Sequence, residues 1–183
     1  MGLALAKEAY IRGYDLKLIV ANVSVDIPSV FSVVNVETGS EMNYEVLKHV
    51  PFYDIFISSA AVSDFEFKRK SDEKIDSSSS LLLNLKPTTK IIRQIKKINP
   101  EIFLVGFKAE FNITKDEIIK CAKKQIDEAG TDLVIANDIS KNDCHFGSDT
   151  NEVFVVDEEV LHLPLASKAD IAKEIFNIIE KKI

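Results

Sequence analysis

The sequence predicts a doubly wound α/β fold: a Rossmann-like, mainly parallel sheet with a C-terminal antiparallel hairpin extension. Three observations carry that prediction. Short runs that are almost wholly apolar, at Ile55 to Ile57, Ile102 to Phe107 and around Asp132 to Ala136, have the composition of strands covered on both faces. Stretches with helical periodicity alternate with these runs. Two of them open on Thr-x-x-Glu capping boxes, Thr38 with Glu41 and Thr114 with Glu117, and a third is capped by Ser167 and Asp170. The period then changes in the last third. Asn151 to Val156 and Val160 to Leu165 are apolar runs joined by Asp157, Glu158 and Glu159, the pattern of an antiparallel hairpin.

Taken in order, Leu3 to Arg12 is a helix, with Gly13 where a left-handed cap belongs. Leu16 to Ala21 is a strand, and an irregular connection through Pro28 leads to a second strand around Val30 to Val36. The helix opened by Thr38 runs to about Val50, ahead of the strand at Asp54. Glu66 to Ser80 is a polar, serine-rich loop carrying Lys68, Arg69, Lys70 and Lys74 among acids. Leu81 to Leu85 reads as a short strand, and Pro87 with Thr88 as the start of a helix whose apolar face is Ile91, Ile92, Ile95 and Ile98. Gly130 closes the helix opened by Thr114, and the final helix presents Ile171, Ile175, Ile178 and Ile179. An α/β domain ordinarily opens with a strand whose turn into the first helix is a glycine-rich phosphate loop. Here the helix has none ahead of it. Residues 1–183 are therefore expected to be a single domain that is N-terminally incomplete, lacking that strand and loop.

Composition excludes several function classes. With 183 residues, 46% of them hydrophobic, the chain can bury one good core. A net charge of -6 argues against nucleic-acid binding, so a phosphate ligand has to be met by a local group of cations. Two cysteines, Cys121 and Cys144, make no disulfide framework and fit a reducing cytoplasm, and no apolar run approaches the length of a membrane span. Tyr44 and Lys48 match the Tyr-x-x-x-Lys spacing of short-chain dehydrogenases, but they lie on the helix before the Asp54 strand, too early for that catalytic pair. Asp143, Cys144 and His145 lack a second cluster with metal-ligand spacing, and His49 and His162 have no partners in sequence.

Three strands end in small or polar clusters: SSAAVSD from Ser58, GFKAE from Gly106 and ANDIS from Ala136. In a parallel sheet these ends share one edge, where ligands of open α/β sheets bind. Ala60 and Ala61 let a ligand approach the backbone. Asp64 suits a ribose hydroxyl or a nucleotide amine, or else a turn cap. Lys74 suits closure over a phosphate, or is an ordinary exposed lysine. Phe107 suits base stacking or a core position, and Asn137 with Asp138 suits ligand orientation or an Asx turn.

The run AAVSDF, then EKI with Lys74, then LKPTTKII, VGFKAE and VIANDIS resembles, in the same order, the phosphopantothenoylcysteine synthetase domain, also called phosphopantothenate-cysteine ligase, in its archaeal form. The resemblance covers essentially the whole chain. It implies a cytoplasmic ligase of coenzyme A biosynthesis, with CTP rather than ATP as co-substrate and Mg²⁺ as cofactor. The carboxylate of 4'-phosphopantothenate attacks the α-phosphate, and L-cysteine then displaces CMP from the acyl-nucleotide. It further implies a homodimer, fusion to a phosphopantothenoylcysteine decarboxylase, and FMN only where that second domain is present. Carried over by position, Asp64, Lys74, Thr89, Lys90, Ile91, Ile92 and Phe107 contact the nucleotide, Lys74 is the lysine needed for turnover, and Ala60, Ala61 and Asn137 meet phosphopantothenate. Two departures stand out. Ile75, Asp76 and Ser77 follow Lys74 where the bacterial pattern has further lysines, and the family's nucleotide-binding lysines of the Cys121 to Gly130 helix fall on Gln125 and Ala129, with Lys124 one place away as the candidate. Without the front loop, residues 1–183 alone are expected to be inactive or nearly so. Competing readings are an NAD(P)-dependent oxidoreductase on the same fold, which needs a glycine fingerprint and a placed tyrosine, and a non-catalytic Rossmann-like module.

Overall fold

A computed structural model describes residues 1–68, 74 and 80–183. It is an α/β/α sandwich in which helices cover both faces of a sheet. Helix α1 (Gly2–Ile11) buries Leu5, Ala6 and Ala9 and ends at Gly13, whose φ of 84° is the left-handed turn expected there. Strand β1 (Lys17–Val20) pairs in parallel with β2 (Ser32–Asn35). Thr38 Oγ1 then accepts from the Glu41 N–H at 3.1 Å to open α2 (Gly39–His49), which continues through a 3-10 turn at Val50–Phe52.

The main sheet has the order β3-β6-β7-β8-β9. Strands β3 (Ile55–Ser58), β6 (Phe103–Glu110) and β7 (Leu133–Asp138) are parallel, while β8 (Thr150–Val156) and β9 (Val160–Ser167) form the antiparallel hairpin extension. Between β6 and β7 runs α4 (Lys115–Ala129). Its N-terminus is a complete capping box between Thr114 and Glu117, and its C-terminus is Gly130 at φ 67°. Ser167 caps α5 (Lys168–Ile179) by accepting from the Asp170 N–H at 3.1 Å. Alternation along the strands divides the core. Val105, Leu133, Ile135, Val153 and Val155 face α1 and α5, whereas Val134, Ala136, Phe154 and Val156 face α4, and Leu104 faces α2 and the short helix α3 (Ile92–Ile98).

One region departs from expectation. The segment 81–85 does not form the strand. Instead β5 (Leu85–Pro87) pairs antiparallel with β4 (Phe65–Phe67), a two-stranded arm off the main sheet. Nor do Pro87 and Thr88 start a helix. The Thr88 hydroxyl donates to the Ser63 carbonyl at 2.6 Å and its N–H to the Asp64 carbonyl at 2.9 Å, so tertiary hydrogen bonds displace the cap and α3 begins four residues later. The expected flexibility of the serine-rich loop, and the segment Ile75, Asp76 and Ser77, lie outside the described residues.

A second feature concerns the sheet as a whole. Strands β1 and β3 both contribute to the cores on either face, through Leu16, Ile19, Ala21, Ile55, Phe56 and Ile57, yet they share no ladder hydrogen bonds. Among the described residues the β1–β2 pair is thus joined to the main sheet by side-chain packing and not by ladder hydrogen bonds.

Candidate active site

Strands β3, β6 and β7 bring their carboxyl ends to one edge, as their sequences predict. β3 stops at Ser58, level with Gly106, while β6 and β7 continue together to Glu110 and Asp138. The step so formed is a crevice with β6 as its wall. Beyond β3, Ala60 and Ala61 are exposed. Ser59 lies against the first turn of α1, where a Cβ on Gly2 would come within 2.8 Å of its Oγ. A side chain at position 2 would make the Ser59 hydroxyl turn aside.

On the α3 side of the crevice stands a charged group. Asp64 is paired with Lys90, whose hydrogen bond and charge, helped by Lys108, hold the carboxyl below its ordinary range. Lys108 itself pairs with Glu110 at 2.9 Å. Thr89 and Lys90 are exposed, but Ile91 and Ile92 turn into the core with Ile95 and Leu104, so what they offer a ligand is backbone. Lys74 is exposed.

Two residues not singled out as ligand-binding complete this side. Gln125 reaches from α4 to lie over Gly106, so that a Cβ there would sit 2.0 Å from Gln125 Nε2. That nitrogen is buried and has no hydrogen-bond partner among the described residues. Glycine inside a strand run was the available signal of such an approach. Lys124 points elsewhere. Its side chain is 72% exposed, 3.8 Å from Glu128, and it edges a shallow groove with Phe111, Lys120 and Cys121.

The α1 and α5 side is amide and aromatic. Phe107 is half-buried against the cluster of Leu5, Val105 and Ile135, on the sheet face opposite Lys108, so it is not brought to Asp64. Asn137 is on Phe107's face, and its Nδ2 donates to Asn151 Oδ1 at 3.2 Å. Its neighbour Asp138 is the Asx turn of the two readings. It accepts from the N–H groups of Ser140 at 2.9 Å and Asn112 at 3.0 Å, and although burial pushes its carboxyl up, these bonds hold it below the ordinary value.

The remaining sequence motifs stay apart from this edge. Tyr44 is 65% exposed on α2 with Lys48 over its ring, a surface pair. His162 pairs with Glu152 at 2.7 Å and stacks on Phe154. Among the described residues no three His, Cys, Asp or Glu side chains converge to hold a metal.

Comparison with known proteins decides the lineage. The family model of the DNA/pantothenate metabolism flavoprotein C-terminal domain matches residues 1–183. The chain belongs to this family. It is 42% identical, over its whole length, to a coenzyme A biosynthesis bifunctional protein CoaBC of Thermococcus kodakarensis, and it covers 45% of that protein. The chain thus spans about half the length of the curated relatives it matches. Among solved structures it is similar to the C-terminal domain of a CoaBC, with a TM-score of 0.80 and 26% identity over 99% of this chain and 81% of that one. A flavoprotein of the same description from Streptococcus pneumoniae superposes with a TM-score of 0.86 at 24% identity, a likeness of fold. The sandwich with its hairpin extension is therefore the family's fold, and the resemblance read from the strand-end motifs is borne out.

Proposed function

We propose that this chain is the ligase portion of a coenzyme A biosynthesis protein, joining 4'-phosphopantothenate to L-cysteine through an acyl-CMP intermediate, with CTP as the nucleotide and Mg²⁺ accompanying it. The observation that carries the reading is the convergence of three strand ends at one sheet edge, within a chain of this family, with a cationic side and an amide side flanking a small-residue floor. The chemistry needs such an arrangement. A carboxylate attacks a polyanion, the bond from the α-phosphorus to pyrophosphate breaks, and the cysteine amine then attacks the acyl carbon as CMP departs with the bonding pair. Both steps demand charge neutralisation and aligned reactants.

In this reading Lys90, Lys108 and Lys74 supply positive charge. Asp64 keeps Lys90 in place until a phosphate takes over the lysine. Thr89 and the backbone of Ile91 and Ile92 border the nucleotide, Lys124 approaches the triphosphate only from outside, and Phe107 walls the crevice on its far side. Ala60 and Ala61 leave the backbone open to phosphopantothenate, with Asn137 across the edge. In this reading Mg²⁺ is carried on the triphosphate and water, as this ion prefers.

Two further parts belong to the proposal. The unshared flanks of β1 and β3 fit an additional parallel strand between them, which makes 1–183 an N-terminally incomplete domain of a longer, decarboxylase-fused protein. The β4–β5 arm exposes Phe65, Phe67 and Leu85, with Leu81, Leu82 and Leu83 beside it, an apolar surface suited to a second copy in a cytoplasmic homodimer.

The deciding experiment is ligation by the full-length protein, followed by mass spectrometry of the product and pyrophosphate release. CTP-dependent formation of phosphopantothenoylcysteine is expected. Absence of product with CTP and with ATP, from folded protein supplied with Mg²⁺, refutes the reading.

A further inference from the structure

The two strands that flank the gap in the sheet are bare in a way that the central strands are not. Every residue of β1 and of β3 is only half-buried, whereas β7 is buried from Leu133 to Asn137. The amino ends of β1 and β3 nevertheless lie together. Burial, and then the charge of Asp15 just ahead of β1, raise the hydroxyl pKa of Tyr53 just ahead of β3. At the other edge Gly2 stands against Ser59, just past the end of β3. Helix α1 therefore starts at the carboxyl edge and returns the chain to Asp15 at the amino edge. A strand that fills the gap and leads into α1 has to run the same way as β3, so the chain enters it between Asp15 and Asp54.

That point of entry is already shaped. A cavity of about 250 Å³ opens there, with Phe52, Tyr53, Asp54, Asn99 and Glu101 among its walls. Phe52 is 80% exposed. It is also held rigidly, because Asn99 Nδ2 donates to the carbonyls of Val50 at 3.3 Å and Tyr53 at 3.2 Å, on either side of it. Asn99 Oδ1 in turn accepts from the Glu101 N–H at 3.3 Å, and Pro51 stiffens the same turn. Asp15, Asp54 and Glu101 are exposed and make no ion pair among the described residues. A single exposed aromatic is ordinary. One fixed beside a cavity and unpaired acids, at the mouth of an unfilled gap, is a prepared contact surface.

We propose that this surface docks the stretch of the full-length protein that directly precedes the missing strand, with an apolar side chain of that stretch on Phe52 and a lysine or arginine against Asp54 and Glu101. The occupant follows from the path of the chain. The curated relatives are about twice as long as residues 1–183, and a segment feeding the gap passes the cavity before it makes its first ladder hydrogen bond. Docking here seats the connection to the rest of the protein on the edge opposite the crevice and leaves the strand ends free. The inference rests on the reading of residues 1–183 as an incomplete domain.

The test is photocrosslinking in the full-length protein carrying Phe52→benzoylphenylalanine, with mass spectrometry of the linked peptides. An equal mixture of isotopically light and heavy protein separates links within a chain from links between copies. The expected product joins position 52 to the residues directly ahead of the strand, within one chain. A link between copies, a link to any other segment, or no link overturns the proposal. In the same protein Phe52→Ser should raise the rate of trypsin cleavage in the preceding stretch about fivefold or more, since an undocked segment is open to the protease. Ligation kcat/KM should stay within about twofold, because Phe52 lies on the edge away from the chemistry. Unchanged cleavage counts against docking. Hydrogen exchange isolates the underlying reading: if β1 and β3 exchange late in the full-length protein and Phe52 forms no such link, docking alone fails. If both strands exchange early, no strand fills the gap and the incomplete-domain reading fails.

Discussion

Gly106→Ala probes the crevice floor most directly. An alanine methyl there would stand 2.0 Å from Gln125 Nε2 and 3.1 Å from Ile92 Cδ1. Ordinary contact begins near 3.4 Å, so the amide has to withdraw by about 1.4 Å while Ile92 gives a few tenths of an ångström. No hydrogen bond from the described residues holds the Gln125 nitrogen where it is. Its displacement therefore costs a rotamer change, about 0.5–1.5 kcal/mol. Replacing glycine returns about 0.4–1 kcal/mol through the unfolded chain. The net expectation is a loss of about 1 kcal/mol at most, a fall in Tm of about 2–4 °C for a domain of this size. Function should suffer more. Ile92 opens α3 two residues after Lys90, so pushing it shifts the Asp64–Lys90 pair, and the nucleotide KM should rise several-fold. The assay is a double-mutant cycle with Gln125→Ala, read by thermal unfolding and nucleotide titration. Gln125→Ala should be nearly neutral alone and should restore the stability of Gly106→Ala, with a coupling energy of about 1 kcal/mol. A loss above about 3 kcal/mol that survives in the double mutant would show that the crowding is with backbone, and would refute the account of this floor.

Other consequences are testable in the same way. Lys74→Ala should reduce ligation at least about a hundredfold while nucleotide binding changes little, because the lysine is assigned to charge developing in the transition state; steady-state kinetics with calorimetry separate the two. Asp132 accepts the Leu104 N–H at 2.7 Å and pairs with Lys96 at 2.8 Å, tying β6, α3 and the start of β7 together. Asp132→Ala should cost about 1–3 kcal/mol in chemical denaturation, since it orphans a buried N–H. The hydrogen bond from Lys141, with a smaller one from His162, holds the Glu152 carboxyl below its usual value near 4.5 despite burial. A depressed carboxylate stabilises the fold above that value, and the stabilisation is lost as pH falls through the lower folded-state pKa. Tm of Glu152→Gln should therefore converge on that of the native chain between about pH 5 and pH 2. Phe65→Asp should disperse a dimer built on the arm, seen by light scattering as a halved mass.

Most of the fold was legible because local and global signals agree. The capping boxes at Thr114 and Thr38, the glycine stops and the apolar runs each dictate one outcome. The arm was not legible, because Thr88 carries a strong local cap signal that loses to hydrogen bonds with Ser63 and Asp64, residues more than twenty positions away. In the site, strand ends pointed to Asp64 and Asn137, which follow or close a strand, whereas Lys90 came only with the family resemblance and its pairing with Asp64 is a tertiary contact. Which sheet face each residue occupies separates Phe107 from Lys108, and alternation alone was enough to see it. Gln125 is different. Its importance comes from a mid-helix side chain crossing to Gly106, a distance that helical periodicity does not encode. Asn151 did leave a trace, as a polar residue in register with inward-facing Val153 and Val155.

The side-chain-only attachment of the β1–β2 pair has a kinetic meaning. Amides of the five-stranded sheet are released to deuterium only when the ladder that joins β3 to β9 opens, whereas β1 and β2 can detach without breaking any hydrogen bond to that ladder. Residues 1–183 alone should accordingly behave as two cooperative units of unequal durability: β1 and β2 exchange early and together, and the sheet that carries the strand ends exchanges late. A ligand spanning Ser59 and the first turn of α1 would slow the second unit more than the first, and the order of exchange would record which part of the chain the ligand grips.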